Sequence, residues 1–185
     1  MEIPIRYPID HRVLFKALTC IKIENKTLYI AMLFSYFLGL RATEVVSLSW
    51  NDLNIERKTV TYSNKKNGRI VKLIPEKLIK ELIIFKREKE PKEAGPIFLR
   101  SNILRISVRM MAKKLHDILE KHTLDHFYFS DLYKLHKELL IKDLFYVKTI
   151  GLPSIHPVDS KHINYYLYNN YKQKYKILDD YLFRI

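Results

Sequence analysis

The sequence predicts a mainly helical domain with a small antiparallel β-sheet, an α+β fold. Three observations carry this. Apolar residues recur at spacings of three and four over much of the chain, which is the helical period. In one stretch, residues 57–74, that period gives way to alternating and β-branched residues around an Asn-Gly turn. The 185 residues, 48 % hydrophobic and 29 % charged, suffice for one well-cored domain and have ordinary globular composition.

The first helix follows Pro8, with Asp10 as its N-cap and Val13, Leu14, Ala17 and Leu18 as its apolar stripe. Cys20 closes that face and reads as a core residue. Asn25 caps a second helix that runs through Leu38 and ends at Gly39. The apolar run Leu28 to Leu40 has 13 residues, against roughly 20 for a bilayer span, so it is a buried helix. Arg41 to Leu48 forms a third, short helix. Arg57 to Ser63 and Arg69 to Ile74 are the strands of a hairpin whose turn is Asn64-Lys65-Lys66-Asn67-Gly68. Pro75 ends the second strand, and Glu76 opens a helix to about Glu88.

Glu88 to Pro96, with Pro91 and Gly95, reads as a charged surface loop, and Ile97 to Leu99 as a brief third strand. Asn102 to Lys121 forms a long helix. Ile103, Leu104, Ile106, Met110, Met111, Leu115 and Ile118 supply its apolar side, and Arg105, Arg109 and Lys113 a basic stripe every four residues. Ser130 to Tyr146 is a further helix. After the loop Gly151 to Pro157, residues 159–185 form a helical tail with five tyrosines between Tyr165 and Tyr175. No internal repeat interrupts this, and residues 1–185 read as a single domain.

Lys and Arg number 33 against 20 acids, a net charge of +13. Such an excess concentrates anions around the surface and points to nucleic acid or an anionic membrane as partner. The single cysteine excludes an internal disulfide and a cysteine-based metal site. It fits a reducing compartment, cytoplasmic or DNA-associated. The first ten residues lack the apolar stretch of a signal peptide. No zinc pattern, P-loop or dinucleotide glycine motif appears, so neither metal nor cofactor is expected.

The most informative stretch is Tyr36-Phe37-Leu38-Gly39-Leu40-Arg41-Ala42-Thr43-Glu44-Val45-Val46-Ser47-Leu48-Ser49-Trp50-Asn51-Asp52-Leu53. Gly39 permits a helix end with positive φ. Arg41 then opens the next helix, where its guanidinium can fork onto two phosphate oxygens. Glu44, three residues on, shares its face and can orient it. An ordinary Arg41–Glu44 ion pair would give the same spacing.

This stretch resembles the first active-site box of the tyrosine recombinases, the phage-type integrases. There an apolar helix ends in Gly-Leu-Arg, followed by a small residue, a Glu, an apolar pair, and Leu-x-Trp-x-Asp-Ile. The hairpin follows in the family's order, with Lys65 and Lys66 in its turn. The resemblance is strong over residues 28–75, fair to about 119 and poor beyond. It implies the fold of the recombinase catalytic domain and double-stranded DNA as partner. The chemistry it implies is strand transfer through a phosphotyrosine, which needs no metal. Arg41 would stabilise charge on the phosphate oxygens, and a hairpin lysine, Lys65 ahead of Lys66, would protonate the leaving 5′ oxygen. The chain begins about 25 residues before the helix of the first box, so the separate N-terminal domain of full recombinases reads as absent.

The later boxes depart from the pattern. The second, normally His-x-Leu-Arg-His, matches Ser130-Asp131-Leu132-Tyr133-Lys134. Tyr133 stands in the arginine slot, and Lys134 fills the last position as a partial substitute cation. His126 and His136 are alternative proton carriers, although each reads more readily as a surface histidine. The third box matches Ile150-Gly151-Leu152, with Leu152 in the histidine slot and His156 or His162 as replacements. Nine residues on lies Lys161. The nearest tyrosines, Tyr165 and Tyr166, are the nucleophile candidates, with Tyr168 behind them; the same tyrosines would serve equally as core packing.

Three functional readings stay open. The chain is a strand-exchange enzyme, a non-enzymatic DNA-binding protein on the same scaffold, or a basic RNA-binding or interaction module. Leu178, Tyr181, Leu182 and Ile185 form an apolar stripe on the final helix. By the resemblance, that helix would link protomers into a homo-oligomer on DNA; the alternative is that it folds onto its own core.

Overall fold

A computed structural model of the chain describes residues 11–64, 68–89, 94–100 and 104–137. The chain divides into two units, Met1–His136 and Lys137–Ile185, and the described residues lie, Lys137 apart, in the first. In order these are α1 (His11–Glu24), α2 (Lys26–Leu38), α3 (Ala42–Ser47), β1 (Leu53–Asn54), β2 (Thr59–Asn64), β3 (Gly68–Leu73), α4 (Glu76–Lys89) and α5 (Val108–Lys121). A further helical segment covers 129–137. The mainly helical fold with a small antiparallel sheet is therefore as the sequence predicts.

Helix α2 is the hub. Every residue from Leu28 to Leu38 is buried, and α1, α3, α4 and α5 pack around it. A helix apolar on all sides has to be enclosed, and both its ends are fixed. Asn25 Oδ1 accepts the Leu28 N–H at 3.0 Å, satisfying a donor that the helix leaves orphaned. At the other end Gly39 adopts φ +58° and donates its N–H to Ser35 O at 3.0 Å. Leu14, Ala17, Leu18 and Ile21 of α1 are buried. Cys20 flanks that stripe and is only half-buried, not a core residue as expected. Leu78, Ile79, Leu82 and Phe85 are the buried face of α4. On that face Glu81 accepts a hydrogen bond from Lys22 Nζ of α1 at 2.7 Å.

The sheet order is β1-β2-β3, antiparallel throughout. Its third strand is Leu53–Asn54, not the expected Ile97 to Leu99. That later segment lines the chain before β1 instead: Trp50 donates to Gly95 O and Leu48 O accepts from Ile97. Strand β2 begins at Thr59, two residues later than expected. Asn54 Oδ1 accepts the Arg57 N–H at 2.8 Å, and Lys58 takes φ +52°, so residues 55–58 are a turn.

Helix α5 starts at Val108, six residues later than the periodicity predicts. Ser107 caps it, its Oγ accepting the Met110 N–H at 3.2 Å. Before that, the chain doubles back: Ile106 donates to Phe98 O and Arg100 to Leu104 O. Leu104 is consequently exposed, whereas Ile106, Met111, Leu115 and Ile118 are buried as expected.

Segment 129–137 returns to the end of α2. Leu132 and Leu135 are buried there, and so is His136, which the sequence reads as a surface histidine. His136 Nδ1 lies 3.0 Å from Tyr36 O. A carbonyl can only accept, so Nδ1 carries the proton. The ring also fills the space beside Gly39, where an added Cβ would stand 2.2 Å from His136 Cδ2. Burial, with the nearby Lys72 charge second, pushes the His136 pKa down to about 4, against the bond to Tyr36 O.

Two outcomes follow from this packing. Gly39→Ala should destabilise the fold by about 2–4 kcal/mol, combining left-handed backbone strain with overpacking; chemical denaturation at neutral pH measures it. His136 binds a proton in the unfolded chain near pH 6.5 but in the folded chain only near pH 4. Between these values the unfolded state holds the extra proton, so stability is full above pH 6.5 and falls as pH drops toward 4. The expected loss is about 3 kcal/mol. Urea midpoints across that window should drop for the parent and flatten in His136→Gln; parallel curves for the two proteins would refute the assignment.

Candidate functional site

Arg41 is the residue immediately before α3, with extended backbone at φ −71° and ψ 154°. Its backbone N–H donates to Glu44 Oε2 at 2.8 Å. Glu44 thus orients Arg41 through the main chain, and its carboxylate also suits the positive end of the helix. The guanidinium is exposed and lies over the Tyr133 ring, with Cζ 5.5 Å from the ring centroid. No described residue accepts a hydrogen bond from it. A cation–π contact attracts the guanidinium without taking its N–H donors, which a phosphate could accept.

The far end of α3 is held by Arg105. Its guanidinium donates to Val46 O at 3.2 Å, Ser47 O at 2.5 Å, Leu48 O at 3.1 Å and Ser49 Oγ at 2.6 Å. These are the carbonyls that a helix end leaves without partners. Arg105 therefore does not lie on α5 in one stripe with Arg109 and Lys113; it precedes that helix and is engaged with backbone. Arg109 and Lys113 are exposed on α5.

The sheet contributes a second cation. In β3, Arg69, Val71 and Leu73 are exposed, and the alternate positions Ile70 and Lys72 face inward. Lys72 Nζ donates to Leu38 O, the last carbonyl of α2, and lies 5.8 Å from the Tyr62 ring centroid across the ladder. Burial lowers the Lys72 pKa, with Glu44 opposing. Burial first, then Glu44 and Tyr133, raise Tyr62 to about 12. Arg41, Glu44, Tyr62, Lys72, Tyr133 and His136 thus gather around the end of α2. Sequence reasoning missed Lys72 and Tyr62. The signal for Lys72 was its inward register between Ile70 and Ile74.

The second-box residues all lie in the helical segment 129–137. Asp131 Oδ2 accepts the Tyr128 N–H at 2.8 Å, repeating the Glu44–Arg41 arrangement at the start of this segment. Lys134 is exposed, with Nζ 3.4 Å from Asp131 Oδ1, and Ser130 is exposed. His126 is exposed and pairs with His116, Nδ1 to Nδ1, at 3.0 Å. Lys65, Lys66, His156, His162, Tyr165, Tyr166 and Tyr168 lie outside the described residues. Among the described residues, no three metal-binding side chains converge, and no helix is long and apolar enough to cross a membrane.

Solved structures share the fold that carries these residues. The integrase of mycobacterium phage Brujita aligns with a TM-score of 0.61 at 13% identity, over 76% of this chain and 46% of that one. The lambda integrase catalytic core aligns at 0.60 and 16% identity, over 75% and 85% of the two chains. Lambda integrase bound to DNA aligns at 0.59 and 18% identity, over 78% and 54%. This chain thus spans about half the length of the Brujita protein and of the DNA-bound lambda protein. At these identities the likeness establishes the shared fold. No curated protein matches the sequence. The sequence pattern of the phage integrase family matches residues 10–142. That span is well over half of the chain and takes in Arg41, the hairpin and the segment bearing Tyr133, so the chain belongs to the phage integrase family, the tyrosine recombinases.

Proposed function

We propose that this chain binds double-stranded DNA as a protein of the tyrosine recombinase type, seating a backbone phosphate at Arg41. The observation that carries this is the exposed Arg41 guanidinium, whose N–H donors no described residue takes, at the start of a helix fixed at both ends. The net charge of +13 supplies the attraction, and Arg109, Lys113 and Lys134 are further exposed cations for neighbouring phosphates. The DNA-bound state of lambda integrase, which shares the fold, supports the same partner. The reading implies a protein found with DNA, and the apolar stripe of the tail would link protomers there.

In the enzymatic form of this function, Tyr165 or Tyr166 attacks phosphorus as its hydroxyl proton passes to a neighbouring base, His156 or His162. The phosphate stays on the tyrosine, and the 5′ oxygen leaves with a proton from Lys65 or Lys66. His156 or His162 would take the slot of the missing histidine. A second reading, binding without cleavage, is favoured by Tyr133 standing where a second arginine belongs. Removing one such donor from a charged transition state costs roughly 10²–10³ in rate.

Duplex affinity should fall steeply with salt, with a log–log slope of about −0.9 per phosphate neutralised; a flat response between low and moderate salt would refute duplex binding. A nicked suicide duplex separates the two forms. A denaturation-resistant protein–DNA band that disappears in the Tyr165→Phe, Tyr166→Phe double variant establishes the phosphotyrosine chemistry. Salt-dependent binding with no band in the parent establishes the binding-only form.

A further inference from the structure

We infer that Tyr133 is a positioning residue for Arg41, so that the site is a phosphate seat made of one guanidinium laid on one aromatic ring. The inference rests on the reading of Arg41 as a phosphate ligand and names what holds it in place. Arg41 belongs to a loop between α2 and α3, and its side chain is exposed. An unrestrained arginine there would lose about 2 kcal/mol of rotamer entropy on binding. The Tyr133 ring, 5.5 Å below Cζ, is what restrains it.

The ring itself stands on fixed ground. Its neighbours Leu132 and Leu135 are buried, and His136, one turn on, is bonded to Tyr36 O. The segment begins at the Asp131–Tyr128 bond. Arg41 is fixed separately through the Glu44 bond to its backbone. Two independently anchored elements therefore meet at the guanidinium, one at its backbone and one at its face.

A tyrosine at this point acts differently from a second arginine. Two guanidinium groups repel until an anion bridges them, whereas an aromatic face attracts the one that is present. The seat is thus formed before DNA arrives, and it presents one positive charge to the phosphate instead of two.

The test measures duplex affinity against salt for the full chain, with Arg41→Ala, Tyr133→Phe, Tyr133→Leu and the Arg41→Ala, Tyr133→Leu pair. Arg41→Ala should make the slope shallower by about 0.9, one phosphate contact. Tyr133→Phe keeps the ring and should match the parent. Tyr133→Leu should weaken binding about two- to fivefold, the size of an exposed cation–π contact, and the pair should bind no worse than Arg41→Ala alone. Parent affinity in Tyr133→Leu, loss in Tyr133→Phe, or additive losses in the pair would each overturn the positioning role. An unchanged slope in Arg41→Ala would instead overturn the phosphate reading beneath it. Should Tyr133→Leu fail to fold, the arginine Nε–H spectrum of the folded parent decides. A ring-current-shifted Arg41 signal, retained in Tyr133→Phe, supports the stack, and its absence overturns it.

Discussion

The end of α2 is where the structure is most constrained. A helix finishing in mid-core leaves carbonyls that water cannot reach, and each unpaired one costs about 1–3 kcal/mol. Here Tyr36 O accepts from His136 and Leu38 O from Lys72. The two donors come from segments 100 and 34 residues away in sequence. One helix end thereby joins the sheet and the segment 129–137 to the hub. Gly39 makes this possible twice over, by reversing the chain at φ +58° and by leaving room for the imidazole. A side chain at that point would displace His136 and, with it, the segment that carries Tyr133.

The residues proposed to seat a phosphate depend on that junction without forming part of it. Arg41 is two residues beyond Gly39, and the direction in which the chain leaves α2 sets where α3 begins. Arg105 then fixes α3 from its far end by taking three backbone carbonyls and Ser49 Oγ. Lysine could not replace it there, because a single ammonium lacks the planar fork that spans several acceptors. The basic residues of this chain therefore divide by task. Arg105 and Lys72 satisfy buried or terminal carbonyls, while the side chains of Arg41, Arg109 and Lys113 are exposed and donate to no described residue. Net charge counts all five alike, and only geometry separates those left to face a polyanion.

Much of the fold was legible in the sequence. The limits of α2 were read to the residue, because Asn25 and Gly39 are local signals whose effect lies within one turn of the chain. The hairpin was legible from its Asn-Gly turn, although its first strand begins two residues later than read. Where the reading failed, the cause was non-local. Residues 104–106 have helical spacing, yet backbone pairing of Phe98 with Ile106 holds them extended. Strand β1 is two residues long and exists only because β2 lies beside it. At the site, Arg41 and Glu44 were legible from spacing, although the expected side-chain orientation became a backbone cap. The Tyr133 stack was not legible, since it joins residues 92 positions apart with no periodicity to relate them.

Tyr133, standing where the family resemblance expects an arginine, bears on how such a site could change without losing its scaffold. An arginine replaced by alanine would leave its partner arginine unrestrained and a gap in the surface. A tyrosine fills comparable volume, supplies an attractive face to the remaining guanidinium, and keeps Leu132 and His136 on the buried side of the same helical turn. Ground-state affinity for a phosphate needs one well-held guanidinium. Stabilising the additional charge of a pentacoordinate transition state calls for more than one. On the proposed reading, a tyrosine at 133 would preserve the first property while weakening the second, coupling binding and chemistry less tightly than a two-arginine site would. If the chain holds DNA as proposed, the identity of residue 133, and not the integrity of the fold, would limit how far it goes beyond binding.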